Sequence, residues 1–190
     1  MTGRLVAFTG PAGAGKSTAA AVLVGEGWQL VKFASPLKDM LRAFYRACGI
    51  DNEAYIDARI EGDQKEEPDP FLRGRTPRHA MQTLGTEWGR DLIASDLWIC
   101  AWRQRVGGLL AAGVDVVTDD CRFANEAEAL RQLGGVIVEV TGRAKSIESH
   151  ASETRDATPD IIVNNVRCKT VFMWEILCLL RETDFPHISD

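Results

Sequence analysis

The eight residues Gly10-Pro11-Ala12-Gly13-Ala14-Gly15-Lys16-Ser17 limit what this chain can fold into more than any other stretch. They satisfy every fixed position of the pattern G-x-x-x-x-G-K-[ST]. The context the pattern needs is also present. A short β-rich apolar run over residues 4–9 precedes it, and an Ala-rich run over 16–24 with good helix propensity follows. In such a strand-loop-helix unit the glycines let backbone N–H groups turn inward around phosphate oxygens, and the helix N-terminus adds partial positive charge. Lys16 can reach the outer phosphates, Ser17 can ligate Mg2+, and Thr18 can add a hydroxyl contact. Gly10, Ala12, Gly13, Ala14, Gly15, Lys16, Ser17 and Thr18 form the expected phosphate-binding set.

The rest of the chain continues the alternation of strand and helix. A second strand is expected at 28–33, then a helix over 35–48 with Ser35 as its cap and Pro36 in its first turn. Residues 49–75 contain Gly49, Gly62, Pro68, Pro70, Gly74 and an acidic cluster at 61–69. They read as a loop or a loosely ordered helical arm whose charge is solvated surface. The pattern over 77–112 is helical, interrupted near Gly85, Gly89 and Ser95-Asp96, with Trp98 and Trp102 one turn apart as packing residues. Strands at 114–119 and 135–140 flank a helix at 125–133, and a fifth strand at 160–163 leads to a closing helix at 169–181. The expected architecture is α/β: a single three-layer domain over 1–190 with a five-stranded parallel sheet and ligands at the carboxyl ends of its strands.

Composition narrows the partners. Lys and Arg number 22 against 27 Asp and Glu, a net charge of −5, which argues against a broad electrostatic grip on nucleic acid or an anionic membrane. No segment approaches the ~20 apolar residues of a membrane span, and the N-terminus lacks an apolar run of signal length. The five cysteines, Cys48, Cys100, Cys121, Cys168 and Cys178, never pair as C-x-x-C, which fits reduced thiols in cytosol. Sixteen of the basic residues are Arg, the better fork for phosphate or carboxylate, although a GC-rich genome gives the same bias.

A phosphate loop does not decide what happens to the nucleotide. The chain has no N-K-x-D base-reading motif of a GTPase, and its 190 residues leave no room for the helical lid of a large ATPase. A small kinase using ATP and Mg2+ is the leading class, and such chemistry needs cations around the transferred group. The strand end Val116-Val117-Thr118-Asp119-Asp120 offers a metal-site carboxylate opposite Ser17. Asp120 is the expected ligand, Asp119 competes for the role, and one of the two could instead cap the following helix. Asp39-Met40-Leu41-Arg42-Ala43 and Pro77-Arg78-His79-Ala80-Met81-Gln82 resemble stretches of adenylate kinases in which arginine holds the acceptor phosphate and glutamine reads the base.

Further motifs carry a resemblance over nearly the whole chain. They are Phe33-Ala34-Ser35-Pro36-Leu37-Lys38, the run from Gln82 through Thr83-Leu84-Gly85-Thr86-Glu87-Trp88-Gly89 to Arg90, Asp120-Cys121-Arg122-Phe123-Ala124-Asn125-Glu126, and His150-Ala151-Ser152-Glu153. With the phosphate loop, these resemble the phage-type deoxynucleoside monophosphate kinases, a branch of the P-loop nucleoside and nucleotide kinases. The resemblance implies ATP-dependent conversion of deoxynucleoside monophosphates to diphosphates, often by a homodimer, in cytoplasm or in host cytoplasm if phage-encoded. It implies an acceptor region at about 34–96 that includes Lys38, Arg42, Arg78, Gln82, Trp88 and Arg90, and a short lid at about 141–159. Lys16, Arg122 and Arg143 would act on the transferring phosphoryl group. The sequence departs from the commoner pattern at Thr118-Asp119, where the extra acid bears on the metal assignment. His150 needs no general-base role, because an acceptor phosphate is already an anion, and it reads as a lid hinge or hydrogen-bonding residue. A kinase for another phosphorylated small molecule, such as phosphomevalonate, and a nucleotide-binding regulator without turnover are the alternatives.

Overall fold

The computed structural model of the protein describes residues 2–142, 156–166 and 168–182. Strands β1 (Leu5–Thr9), β2 (Gln29–Leu30), β3 (Val116–Thr118), β4 (Val136–Thr141) and β5 (Ile161–Asn164) form one sheet in the order β2-β3-β1-β4-β5. All four pairings are parallel. Among the described residues the helices are α1 (Lys16–Gly25), α2 (Ser35–Ala47), α3 (Glu53–Ile60), α4 (Pro77–Thr83), α5 (Leu97–Ala111), α6 (Ala124–Gln132) and α7 (Lys169–Glu182). A 3-10 turn at Asp63–Glu66 and a π-helix at Leu84–Ile93 complete the set. The expected α/β class with a five-stranded parallel sheet is what the chain adopts.

The chain divides into two compact units, Met1–Phe33 with Trp102–Asp190, and Ala34–Ala101. In the first unit every residue of β1 is buried, as expected for a parallel strand covered on both faces. Val6 and Phe8 pack with Val117, Val138 and Val140 of the neighbouring strands, with Leu23 of α1, and with Phe172 and Ile176 of α7. The register pairs Ala7 with Thr118, Thr9 with Glu139, and Thr141 with Asn164. Gly10, Asp119 and Asn165 are therefore the residues that leave the carboxyl ends of β1, β3 and β5.

Several boundaries differ from the sequence expectation. β2 is two residues long where six were expected, because regular pairing to β3 ends at Leu30, although the Val31 N–H still donates to the Val117 carbonyl at 2.9 Å. α2 starts at Ser35, so Ala34 occupies the cap position and no side chain caps the helix there. The break expected near Gly85 and Gly89 is instead a change of helical pitch, since the Ala94 N–H donates to the Gly89 carbonyl five residues back at 3.0 Å.

In the second unit, Leu41 and Tyr45 of α2 pack on Ile56 and Ile60 of α3. The expectation that the 61–69 cluster is solvated surface fails at Asp69, which is 0% exposed. Its Oδ2 accepts from Tyr45 Oη at 2.9 Å and from Arg59 Nε at 2.6 Å, and its Oδ1 accepts from the Phe71 N–H at 2.8 Å. A carboxylate can be buried here because every bond it lost to water is replaced. Burial first, and then the bond to Asp69, push the Tyr45 hydroxyl well above its ordinary pKa, so it remains a donor.

Removing the shared acceptor takes the charge partner from the mostly buried Arg59 guanidinium, which keeps its bond to Gln64, and the acceptor from the Tyr45 hydroxyl. Asp69→Ala is expected to cost about 3–5 kcal/mol, and Tyr45→Phe about 1 kcal/mol, in urea unfolding followed by circular dichroism. A loss below about 1 kcal/mol for Asp69→Ala would reject the network as the anchor of this segment.

Candidate functional site

The glycine-rich loop leaves β1 at Gly10 and enters α1 at Lys16. Gly10 is required twice over. Its φ is +126°, and a Cβ there would lie 2.2 Å from the Val140 carbonyl oxygen of β4. Gly15 holds φ +112° at the cap of α1, and its missing Cβ leaves room for the Asn165 amide, which a methyl would approach to 2.3 Å. Lys16 Nζ donates to the carbonyls of Gly10 at 2.8 Å and Pro11 at 2.9 Å, so the ammonium lies over the start of the loop. Thr18 is half-buried on the first turn of α1.

Beyond β3 the two acids diverge. Asp119 is 4% exposed; its Oδ2 accepts from Ser17 Oγ at 2.9 Å, and its Oδ1 lies 3.3 Å from Lys32 Nζ. That contact is an ion pair without hydrogen-bond geometry, and Oδ1 is the one buried side-chain atom among the described residues with no hydrogen-bond partner. Asp120 Oδ1 instead accepts from the Phe33 N–H at 2.9 Å and so ties the strand end to the segment after β2. A hydroxyl, an under-used carboxylate oxygen and the adjacent phosphate loop make a donor set of hard oxygens, which fits Mg2+ completed by phosphate and water. Among the described residues no group of three or more His, Cys, Asp and Glu side chains could hold a metal alone.

The second unit carries the expected acceptor residues. Lys38 and Arg42, four apart on one face of α2, both meet Glu61: Lys38 Nζ at 2.6 Å and Arg42 Nη2 at 3.5 Å. Arg42 also pairs with Asp57 at 2.9 Å and Asp39 at 3.6 Å. Burial lowers the Arg42 pKa, but the Asp57 hydrogen bond and the three carboxylates outweigh it and hold the guanidinium above its ordinary value. Arg78 of α4 bonds Glu66, and Gln82, one turn on, is exposed. Trp88 on the π-helix is 37% exposed, with its ring 6.0 Å from that of Trp98; Arg90 is half-buried on the same helix.

Trp98 and Trp102 are both buried, as packing residues should be. Trp98 Nε1 donates to the Gly85 carbonyl at 2.8 Å, and Trp102 stacks on Phe33 at 4.2 Å. Arg122 is exposed after β3. Arg143, His150 and most of the expected lid lie outside the described residues. Of the five cysteines, all unpaired, Cys121 is buried, and burial pushes its thiol far above the ordinary range. Sequence reasoning missed Lys32, Glu61, Asp69 and Asn165, each of which acts through a partner distant in the chain or hidden in an acidic run.

A parallel five-stranded sheet with helices and a glycine-rich loop between β1 and α1 defines the class: a mixed α/β protein with a phosphate-loop topology. Within it, the chain is similar to a curated protein of Acanthamoeba polyphaga mimivirus described as "Putative deoxynucleotide monophosphate kinase". The two are 29% identical over 194 residues, which is 92% of this chain and 95% of that protein. The resemblance read from the motifs is shown by this relative. Among solved structures, TT1252 from Thermus thermophilus shares the fold at 16% identity, with a TM-score of 0.53 over 97% of this chain and 100% of that one. The APS kinase CysC Cys556Ala mutant of Mycobacterium tuberculosis is also similar, at 16% identity and TM-score 0.48, over 95% and 99% of the respective chains. No family model matches the chain.

The close approach at Gly10 gives a direct test of the loop geometry. Gly10→Ala is expected to lower unfolding stability by about 1–3 kcal/mol, because both the φ and the Val140 contact must relax. A variant as stable as the parent in thermal melts would reject this geometry.

Proposed function

We propose that the protein transfers the γ-phosphoryl group of ATP to deoxynucleoside monophosphates, giving ADP and the deoxynucleoside diphosphates. The observation that carries the reading is the bond from Ser17 on the phosphate loop to the buried Asp119, whose other oxygen, Oδ1, has the ion pair with Lys32 but no hydrogen bond. Such a pair serves a nucleotide-bound divalent cation. The acceptor class is supported by the mimivirus relative and by the segment of cations on α2 and α4.

In this reading the loop amides hold the β- and γ-phosphates, and Lys16 exchanges the Gly10 and Pro11 carbonyls for phosphate oxygens. Asp119, rather than Asp120, is the carboxylate we assign to the metal, because it is Asp119 that meets Ser17 of the loop, whereas Asp120 accepts from the Phe33 N–H. Bound Mg2+ would neutralise charge developing on the phosphate oxygens. An oxygen of the acceptor phosphate forms the new bond to γ-phosphorus as the bridging bond to ADP breaks. No proton need be removed, since that oxygen is already anionic. Lys38, Arg42 and Arg78 hold the acceptor phosphate, with Arg90 as a further contact; Gln82 reads the base and Trp88 lies against or behind it. Arg122 and Arg143 are assigned to the charge on the transferring group. Homodimeric assembly and work in cytoplasm, or in host cytoplasm for a phage-encoded chain, belong to the same reading. No helix among the described residues is long and apolar enough to cross a membrane.

The test is ADP formation from Mg-ATP with ribo- and deoxynucleoside monophosphates, with phosphomevalonate and no-acceptor controls. Turnover should depend on deoxynucleotides, and Lys16→Ala should lower it by at least about a hundredfold. Arg42→Ala should raise the acceptor KM about tenfold or more and leave the ATP KM unchanged. ATP binding without acceptor-dependent turnover would reject this reading in favour of another acceptor or of a regulator.

The metal assignment has its own readout. Mg2+ should raise the melting temperature of the ADP complex in the parent and in Asp120→Asn, and fail to do so in Asp119→Asn. The opposite pattern would return the role to Asp120.

A further inference from the structure

A phosphate loop that turns its N–H groups inward must turn its carbonyls outward, and those oxygens need donors when they are buried. Lys16 serves the carbonyls of Gly10 and Pro11, but the proposed mechanism sends that ammonium to the nucleotide. The Ala14 carbonyl has a different donor. Asn165, the first residue past β5 and 6% exposed, donates from Nδ2 to Ala14 O at 2.8 Å, across 151 residues of sequence. A carbonyl only accepts, so the amide nitrogen must be the end that faces it. The Asn165 backbone is fixed in turn, because its N–H donates to the Thr141 carbonyl at the end of β4 at 2.8 Å. The amide also occupies the space that Gly15 leaves vacant, where any Cβ would come within 2.3 Å of Nδ2.

We propose that Asn165 is a positioning residue for nucleotide binding: by holding the Ala14 carbonyl outward it keeps the loop amides aimed at the phosphates. Unlike Lys16, it does so without itself being called to the ligand. This rests on the reading that the loop holds ATP phosphates. Asn165 has no part in choosing the acceptor, so the consequence falls on ATP alone.

Asn165→Ala and Asn165→Asp separate a donor from a filler. Asp keeps the size of the side chain but sets an acceptor oxygen against Ala14 O, whereas Ala removes the group. Direct calorimetric titration with Mg-ATP should show about a tenfold loss of affinity for Asn165→Ala and a larger loss for Asn165→Asp. A side chain that only filled space would give the reverse order. Thermal melts without nucleotide identify a variant that fails to fold. If Asn165→Asp does, Asn165→Leu, which fills the space without a donor, takes its place: a loss of about tenfold there supports the donor role, and parental affinity overturns it. Parental ATP affinity in Asn165→Ala, or a milder effect of Asp than of Ala, overturns the proposal. Lys16→Ala measured alongside distinguishes the two failures. If it too binds ATP like the parent, the loop reading is at fault, whereas weakened binding there with an unaffected Asn165→Ala rejects the role of Asn165 alone.

Discussion

The first unit depends on one backbone constraint: at the end of β1 the chain must enter the glycine-rich loop at positive φ while passing close to β4. Gly10 meets the Val140 carbonyl where no side chain fits, and Gly15 meets the Asn165 amide in the same way. The strands on either side are set by the register that places β1 between β3 and β4. That register brings Asp119 to Ser17 from one side and Asn165 to Ala14 from the other. The continuous apolar burial of β1 stabilises the strand. The polar residues just past the strand ends then give the loop its shape.

Local signals in the sequence were read well and long-range ones poorly. The loop, α1 and α7 follow from residues adjacent in the chain, so motif and propensity suffice. β2 is shorter than its apolar run because its regular pairing with β3 ends at Leu30, where the partner strand has only three residues, Val116–Thr118, to offer. α3 is hidden in a segment rich in Gly, Pro and acids, although its signals are present: Asn52 caps it by accepting from the Tyr55 N–H, and Ile56 and Ile60 lie one turn apart. The π-helix lies inside the stretch whose pattern reads as helical; its pitch is not announced there, because the bond from the Ala94 N–H to the Gly89 carbonyl five residues back is a matter of backbone geometry and not of side-chain type.

The candidate site divides along the same line. Lys16 and Ser17 are legible because the pattern fixes their spacing. Asp119 and Asp120 are neighbours in sequence, and choosing between them needs to know which faces the loop and which faces Phe33. Asn165 lies 151 residues from its partner, and nothing in its own neighbourhood announces an anchor. Asp69 was read as surface because acids in a run of acids usually are; its burial rests on Arg59 and Tyr45, which come from two different helices.

The charges of the second unit show why magnitude matters. Lys38 and Arg42 contribute two positive charges, and Asp39, Asp57 and Glu61 three negative ones, so the cluster as it stands carries 2 − 3 = −1. Partly exposed pairs of this kind add only about 0–1 kcal/mol each to stability, so they do little to hold the fold. Their larger effect is on the side chains themselves. Lys and Arg each lose up to about 2 kcal/mol of rotamer freedom when fixed, and Glu61 at Lys38 and Asp57 at Arg42 hold the two before any ligand arrives. On the proposed reading, an incoming phosphate finds its cations already ordered but must compete with a carboxylate for them. A dianion with three oxygens can outbid one carboxylate for a guanidinium fork, whereas a singly charged acceptor has no such advantage. On that reading the three acids also repel an incoming anion, the more so the higher its charge, so a phosphate binds there only by displacing Asp57 and Glu61 from the two cations.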